Sequence, residues 1–243
     1  MDQEKKRIIN SLRFPSMLLV LIWLIRGIEV LFSIDLGFLG IYPLKFSGLI
    51  GIITAPLIHG SISHLAANSI PLFVLTFSIF YFYKEIAWQI FLLIWFTTGL
   101  WTWFIARDAY HIGASGLIYG MASFLIFSGL IRKDMRLSIV SFLVVFLYGS
   151  FVWGVFPNFF PDREISWESH LMGFISGLIL AFYYRKSGPQ RKKYDWEDEE
   201  DEEDDAHDTG SPGMDETSDN SNREEMKVTY HYKSRSDSDQ GQS

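Results

Sequence analysis

Apolar runs of bilayer length, each closed by charged or helix-breaking residues, recur from residue 14 to residue 185 of this 243-residue chain. They constrain its fold more than any other feature. About 20 apolar residues wound as an α-helix cross the hydrocarbon core of a membrane, and in lipid only helices and closed barrels satisfy their own backbone groups. Six such runs are readable: residues 14–32, 62–83, 86–106, 115–131, 137–156 and 165–184. The expectation is an all-α membrane protein with a six-transmembrane-helix domain over residues 14–185, preceded by a charged cytoplasmic leader over residues 1–13. No small-residue cleavage site follows the first run, which reads as a retained span and not a signal peptide. Lys84 and Glu85 alone separate the second and third runs, making them antiparallel neighbours. Residues 33–58 are apolar but interrupted by Gly37, Gly40, Pro43, Gly48, Gly51 and Pro56. They read as a loop packed on protein near the interface, with room for a short re-entrant helix.

The formal charge of −7 averages two unlike parts. From Asp195 onward there are 18 acidic and 4 basic residues, and the remainder carries a net charge of +7. A like-charge block such as residues 197–205 cannot bury enough apolar surface to offset its chain entropy. Residues 186–243 therefore read as a basic, then acidic, disordered cytoplasmic tail. The overall charge carries no argument for nucleic-acid binding. The chain has no cysteine, which excludes disulfides and thiolate metal sites. With six spans, 13 Lys and Arg fall on one side of the membrane and only Lys45, Arg107 and Arg163 on the other. The positive-inside rule then places both termini in the cytoplasm. The amino ends of the second, fourth and sixth spans, carrying His64, Ser115 and His170, come out together near the outer face.

Polar residues at that depth need a reason. Ser115 lies in His111-Ile-Gly-Ala-Ser-Gly-Leu-Ile-Tyr-Gly120, His170 in Ser169-His-Leu-Met-Gly-Phe-Ile-Ser-Gly177, and His64 and Asn68 stand four residues apart on one helix face. A serine hydroxyl becomes a nucleophile only when a base within hydrogen-bond reach takes its proton, and histidine titrates in the right range for that exchange. Ser115 and His170 are 55 residues apart, so only packing of the fourth span on the sixth can join them. Gly116 and Gly120 on one span, and Gly173 and Gly177 on the other, form small-residue faces that let backbones approach. Ser115 at a helix amino end offers a free backbone N–H and the positive end of the dipole, and His64 and Asn68 add side-chain donors for an oxyanion. Tyr119, one turn after Ser115, is placed to lie against the His170 imidazole. No carboxylate occupies a comparable place within the sixth span, which favours a dyad over a triad. Arg26 and Glu29, three apart in the first span, read as an internal ion pair. His111 precedes the motif in a loop and reads as non-catalytic. His207 and His231 carry no assignment.

Gly113-Ala-Ser-Gly116 with Tyr119, His170 with Gly173 and Gly177, and His59-Gly-Ser-Ile-Ser-His64-Leu-Ala-Ala-Asn68 together resemble the rhomboid family of intramembrane serine proteases. The resemblance covers residues 14–185 in motif order and layout. It implies a Ser115–His170 dyad, an oxyanion hole of His64, Asn68 and the Ser115 amide, and a structural or site-shaping His59. It further implies cleavage of transmembrane protein substrates near the outer face, without metal or organic cofactor, by a multi-pass protein of the bacterial cytoplasmic membrane in contact with lipid. Residues 33–58 lack the Trp-Arg pair that many members carry after the first span, which leaves the anchoring of this loop open. Two other readings compete with it. A rhomboid-like protein that binds transmembrane clients without cutting them would be favoured by loss of Ser115 or His170, and neither is lost. A small transporter would line several spans with charge.

Overall fold

The computed structural model describes residues 3–147 and 166–188. The chain divides into a helical unit, Met1–Lys192, and a second unit, Lys193–Ser243. The second unit, and with it the tail read as disordered, lies outside the described residues, as do the loop 157–164 and the carboxyl half of the fifth apolar run. The described helices are α1 (Gln3–Phe32), α2 (Gly51–Thr54), α3 (Ile62–Phe82), α4 (Ala87–Ile105), α5 (Ser115–Arg132), α6 (Met135–Leu147) and α7 (Trp167–Tyr183). Four of them, α1, α3, α4 and α5, are long and apolar enough to cross a membrane. The fold is all-helical, and the described residues contain no strand beyond one isolated bridge between Ile41 and His111.

Two segments carry more helix than the apolar runs alone indicate. Helix α1 begins at Gln3, so most of the charged leader continues the first span as helix. Lys, Arg, Glu and Gln are good helix formers, and a charge cluster therefore marks where the chain leaves lipid without marking where the helix starts. The Arg7 guanidinium donates to the Tyr81 carbonyl at 2.7 Å, tying the amino end of α1 to the end of α3. The stretch 33–58, read as a loop, folds into short 3₁₀ pieces (Gly37–Leu39, Phe46–Ile50, Ala55–Leu57) around the single turn of α2. Gly48 and Gly51 sit where a Cβ would overlap the backbone of Tyr42 and of Gly40–Ile41, so the glycines that preclude a long helix also let this segment fold back on itself.

Helix α5 is the central element. Some 72% of its apolar stretch is buried, against 22% for α1 and 33% for α4. Its Ile118, Met121, Phe124 and Leu125 meet Leu75 and Ile79 of α3 and Ile90, Phe91 and Ile94 of α4 in one buried cluster. Against α7 the contact is backbone to backbone. A Cβ on Gly173 would overlap the Gly116 carbonyl, and one on Gly177 would overlap the Gly120 carbonyl. At the other end of this pair the buried Arg132 donates to the Tyr184 and Ser187 carbonyls, each at 2.5 Å, closing α5 onto the end of α7.

Candidate active site

The close α5–α7 contact brings Ser115 and His170 together: Ser115 Oγ lies 2.7 Å from His170 Nε2, both side chains buried. Ser115 opens α5, where the first backbone N–H groups are not consumed by the helical ladder. Tyr119, on the same face of α5, stacks on the imidazole of His170 with ring centroids 4.3 Å apart and planes at 15°. Aromatic stacking of this kind restricts rotation of the imidazole about its bond to the chain.

The turn before Ser115 is held in an unusual backbone state. Gly113 has φ +107, a region that L side chains avoid. A Cβ there would stand 2.8 Å from His64 Cε1, 3.2 Å from His64 Nε2 and 3.9 Å from Asn68 Nδ2. The bare Gly113 backbone thus faces the two polar side chains of α3. Asn68 Nδ2 is buried without a hydrogen-bond partner among the described residues. Helix α3 is fixed locally by its N-cap, Ser61, whose hydroxyl accepts the His64 backbone N–H at 3.1 Å. His59, just upstream, is 1% exposed and accepts the Ala114 N–H at 3.4 Å. Burial, reinforced by the neighbouring His64, pushes the His59 imidazole down to about 3. It is therefore neutral and able to accept at neutral pH. The Gly113 N–H donates to the Ala55 carbonyl at 2.9 Å, so residues flanking α2 and α3 hold the turn from both sides.

The loop between α4 and α5 carries contacts that the sequence did not disclose. Arg107 pairs with Glu168, its Nη1 lying 2.8 Å and 2.7 Å from the two carboxylate oxygens, and Glu168 is 4% exposed. His111, buried in the same loop, donates through Nε2 to the Arg107 carbonyl at 3.0 Å. A carbonyl can only accept, so Nδ1 of the neutral ring accepts the Ser166 hydroxyl at 2.6 Å. Burial lowers the His111 pKa, in keeping with that neutral ring. Ser166 and Glu168 lie at the entry of α7, four and two residues before His170. The only sequence sign of this cluster was a carboxylate at the mouth of an apolar helix and a lone arginine in a neighbouring loop. The ion pair expected in α1 is present, with Arg26 and Glu29 at 3.2 Å and Glu29 also accepting the Leu36 N–H.

Anchoring of residues 33–58 comes from α4. The Trp95 and Trp103 indoles each donate at 3.0 Å, to the carbonyls of Ile52 and Lys45. Ile41 and His111 exchange backbone hydrogen bonds at 3.0 and 2.8 Å, which lashes the segment to the loop preceding Ser115.

A family model described as the rhomboid domain matches residues 47–187, from the last 3₁₀ turns before α2 through α7 and every site residue above. This chain belongs to the rhomboid family. An uncharacterized protein of Mycobacterium tuberculosis is 38% identical to this rhomboid over 180 residues, spanning 71% of the chain and 73% of the relative. An uncharacterized protein of Mycobacterium leprae is 37% identical over 181 residues, spanning 72% and 70%. A protein of Acanthamoeba polyphaga mimivirus that bears the rhomboid name is 27% identical over 152 residues, spanning 58% and 81%. With its apolar helices, this rhomboid is an integral membrane protein.

Proposed function

We propose that this rhomboid is an intramembrane serine endopeptidase that cleaves transmembrane protein substrates near the outer membrane face, with Ser115 as nucleophile and His170 as its base. The observation that carries this reading is the 2.7 Å approach of Ser115 Oγ to His170 Nε2 between two helices whose glycines let their backbones meet. His170 takes the Ser115 proton as Oγ attacks the scissile carbonyl carbon. The resulting oxyanion accepts hydrogen bonds from the Ser115 amide, His64 and Asn68; that Asn68 Nδ2 is buried with no hydrogen-bond partner among the described residues supports that role. His170 then protonates the departing amine as the C–N bond breaks, leaving an acyl-enzyme. A water that gives its proton to His170 attacks the ester carbonyl, and Ser115 Oγ leaves and regains a proton from His170. Gly113, Gly116, Gly173 and Gly177 support the site by close approach, Tyr119 by holding the imidazole, and His59 by holding the Ala114 amide.

The membrane arrangement belongs to the same proposal: six spans, both termini cytoplasmic, in a bacterial cytoplasmic membrane. The support is the distribution of Lys and Arg. In that orientation the amino ends of α3, α5 and α7 face outward, so a substrate segment unwound near its outer boundary reaches Ser115.

The test is labelling of purified, detergent-solubilised protein with a fluorophosphonate probe, which reacts with an activated serine. The wild type is expected to label, and Ser115→Ala and His170→Ala are expected not to. A folded wild type that neither labels nor cleaves a model transmembrane substrate would move the reading to client binding without cleavage.

A further inference from the structure

Glycine faces bring two helices close but offer no protruding side chain to lock them in register. The α5–α7 contact around the site is of this kind: Gly116 and Gly120 against Gly173 and Gly177, with carbonyls where side chains would stand. The polar ties nearest on α7, the Ser123 hydroxyl to the Phe174 carbonyl at 2.8 Å and Thr97 to Ser176 at 2.5 Å, lie further along the helix than His170. A Ser–His hydrogen bond tolerates little error, since it weakens steeply with misalignment, and a misplacement of about 1 Å can cost about 100-fold in rate. Something at the entry of α7 must set its height and rotation.

Two fasteners meet there from one loop. Arg107 grips both oxygens of the buried Glu168 carboxylate, and its backbone N–H also points to Oε1 at 3.4 Å. His111, four residues on, holds the Ser166 hydroxyl while its other ring nitrogen binds the Arg107 carbonyl. Ser166 is the N-cap of α7 and Glu168 lies in its first turn, two residues on. Two separate points gripped at the helix entry oppose both rotation and sliding. Ser166 is also coupled to the base itself, since its carbonyl accepts the His170 N–H at 3.3 Å. The loop that supplies Arg107 and His111 runs directly into Gly113 and Ser115, and the Ile41–His111 bridge fixes it from behind.

We infer that Arg107 with Glu168, and His111 with Ser166, form a positioning clasp that sets the catalytic base against the nucleophile, an inference that rests on the peptidase reading above. None of the four touches the reacting atoms. They act by holding the first turn of α7 to the loop that ends at Ser115. The planar guanidinium, joined by the Arg107 backbone N–H on the same carboxylate, fixes direction as well as distance, which a flexible lysine ammonium would not.

The experiment compares wild type with Glu168→Gln, Arg107→Lys and Ser166→Ala, with turnover of a model transmembrane substrate expressed per serine titrated by the fluorophosphonate. That normalisation removes any loss due to unfolded protein. Each variant is expected to lose about tenfold to 100-fold in kcat, the range for a misplaced reacting pair, with KM within about twofold of wild type. Turnover per titrated serine equal to wild type would overturn the clasp, whether or not thermal stability falls, because a merely structural tie lowers the amount of active protein and not its rate. A second measurement needs no activity. The chain has no cysteine, so in Ser115→Cys with His170→Cys a short bifunctional alkylating reagent can bridge the pair, each thiolate displacing one halide, and the bridging rate reads the approach of the two positions. Adding Glu168→Gln is expected to slow that reaction about tenfold, and an unchanged rate would sink the clasp even if the peptidase reading failed on other grounds.

Discussion

A buried N–H without a partner costs a folded protein about 1–3 kcal/mol, and among the described residues Asn68 Nδ2 is such a group. Packing alone gives little reason to hold an amide there, between the buried Leu65 and Leu72 of α3. An oxyanion would give that reason, since a donor held ready for charge that appears only in the transition state needs no reorganisation when the charge arrives. Asn68→Leu keeps the number and branching of the side-chain heavy atoms and removes the unsatisfied donor. It is expected to leave thermal stability in detergent equal to or above that of wild type, while turnover falls on the order of 100-fold. Parallel loss of stability and turnover would instead mark Asn68 as part of the bundle's packing. His59 is a different kind of residue. Held neutral by burial, it supports the Ala114 amide at the turn before Ser115 and has no route to the reacting atoms in the proposed mechanism.

Helices α5 and α7 depend on what their contact lacks. The spacing of four that puts Gly116 with Gly120, and Gly173 with Gly177, on single faces was legible from the chain. That these faces meet each other was legible only because Ser115 and His170 had to touch. A methyl group at Gly177 would run into the Gly120 carbonyl and come within 2.8 Å of the Phe124 nitrogen, backbone atoms that cannot swing aside. Gly177→Ala is therefore expected to destabilise the bundle by about 1–3 kcal/mol, the usual cost of overpacking, and to reduce fluorophosphonate labelling although residue 177 is nowhere near the hydroxyl. Gly27→Ala on α1 is the matched control, with nothing within 4 Å of the added carbon. A helix gains up to about 1 kcal/mol from that exchange, so thermal unfolding of the two variants should move in opposite directions. The fasteners at the mouth of α7 were not legible. Arg107 with Glu168 and His111 with Ser166 join residues 61 and 55 positions apart, and no local period or spacing announces a long-range polar contact.

For the whole molecule, apolar runs and helix-breaking residues were enough to indicate an all-helical membrane protein. They did not show that the leader is helical, because charge reports on solvent and not on backbone conformation. The missing Trp-Arg pair in residues 33–58 concealed an alternative, since the indoles that hold the segment belong to α4, more than 40 residues away in sequence. Orientation is the largest inference drawn from the chain and also the most directly measurable. If both termini are cytoplasmic, Lys84, between α3 and α4, faces the cytoplasm, and Asp108, between α4 and α5, faces outward. Both side chains are exposed, and the natural chain offers no competing thiol. In intact cells a membrane-impermeant maleimide should label Asp108→Cys and spare Lys84→Cys until the membrane is opened. The reverse pattern would put Ser115 near the cytoplasmic face and require substrates cut on that side. The chemistry assigned to Ser115 and His170 would survive that result, because a 2.7 Å hydrogen bond between them does not depend on which way the bundle faces.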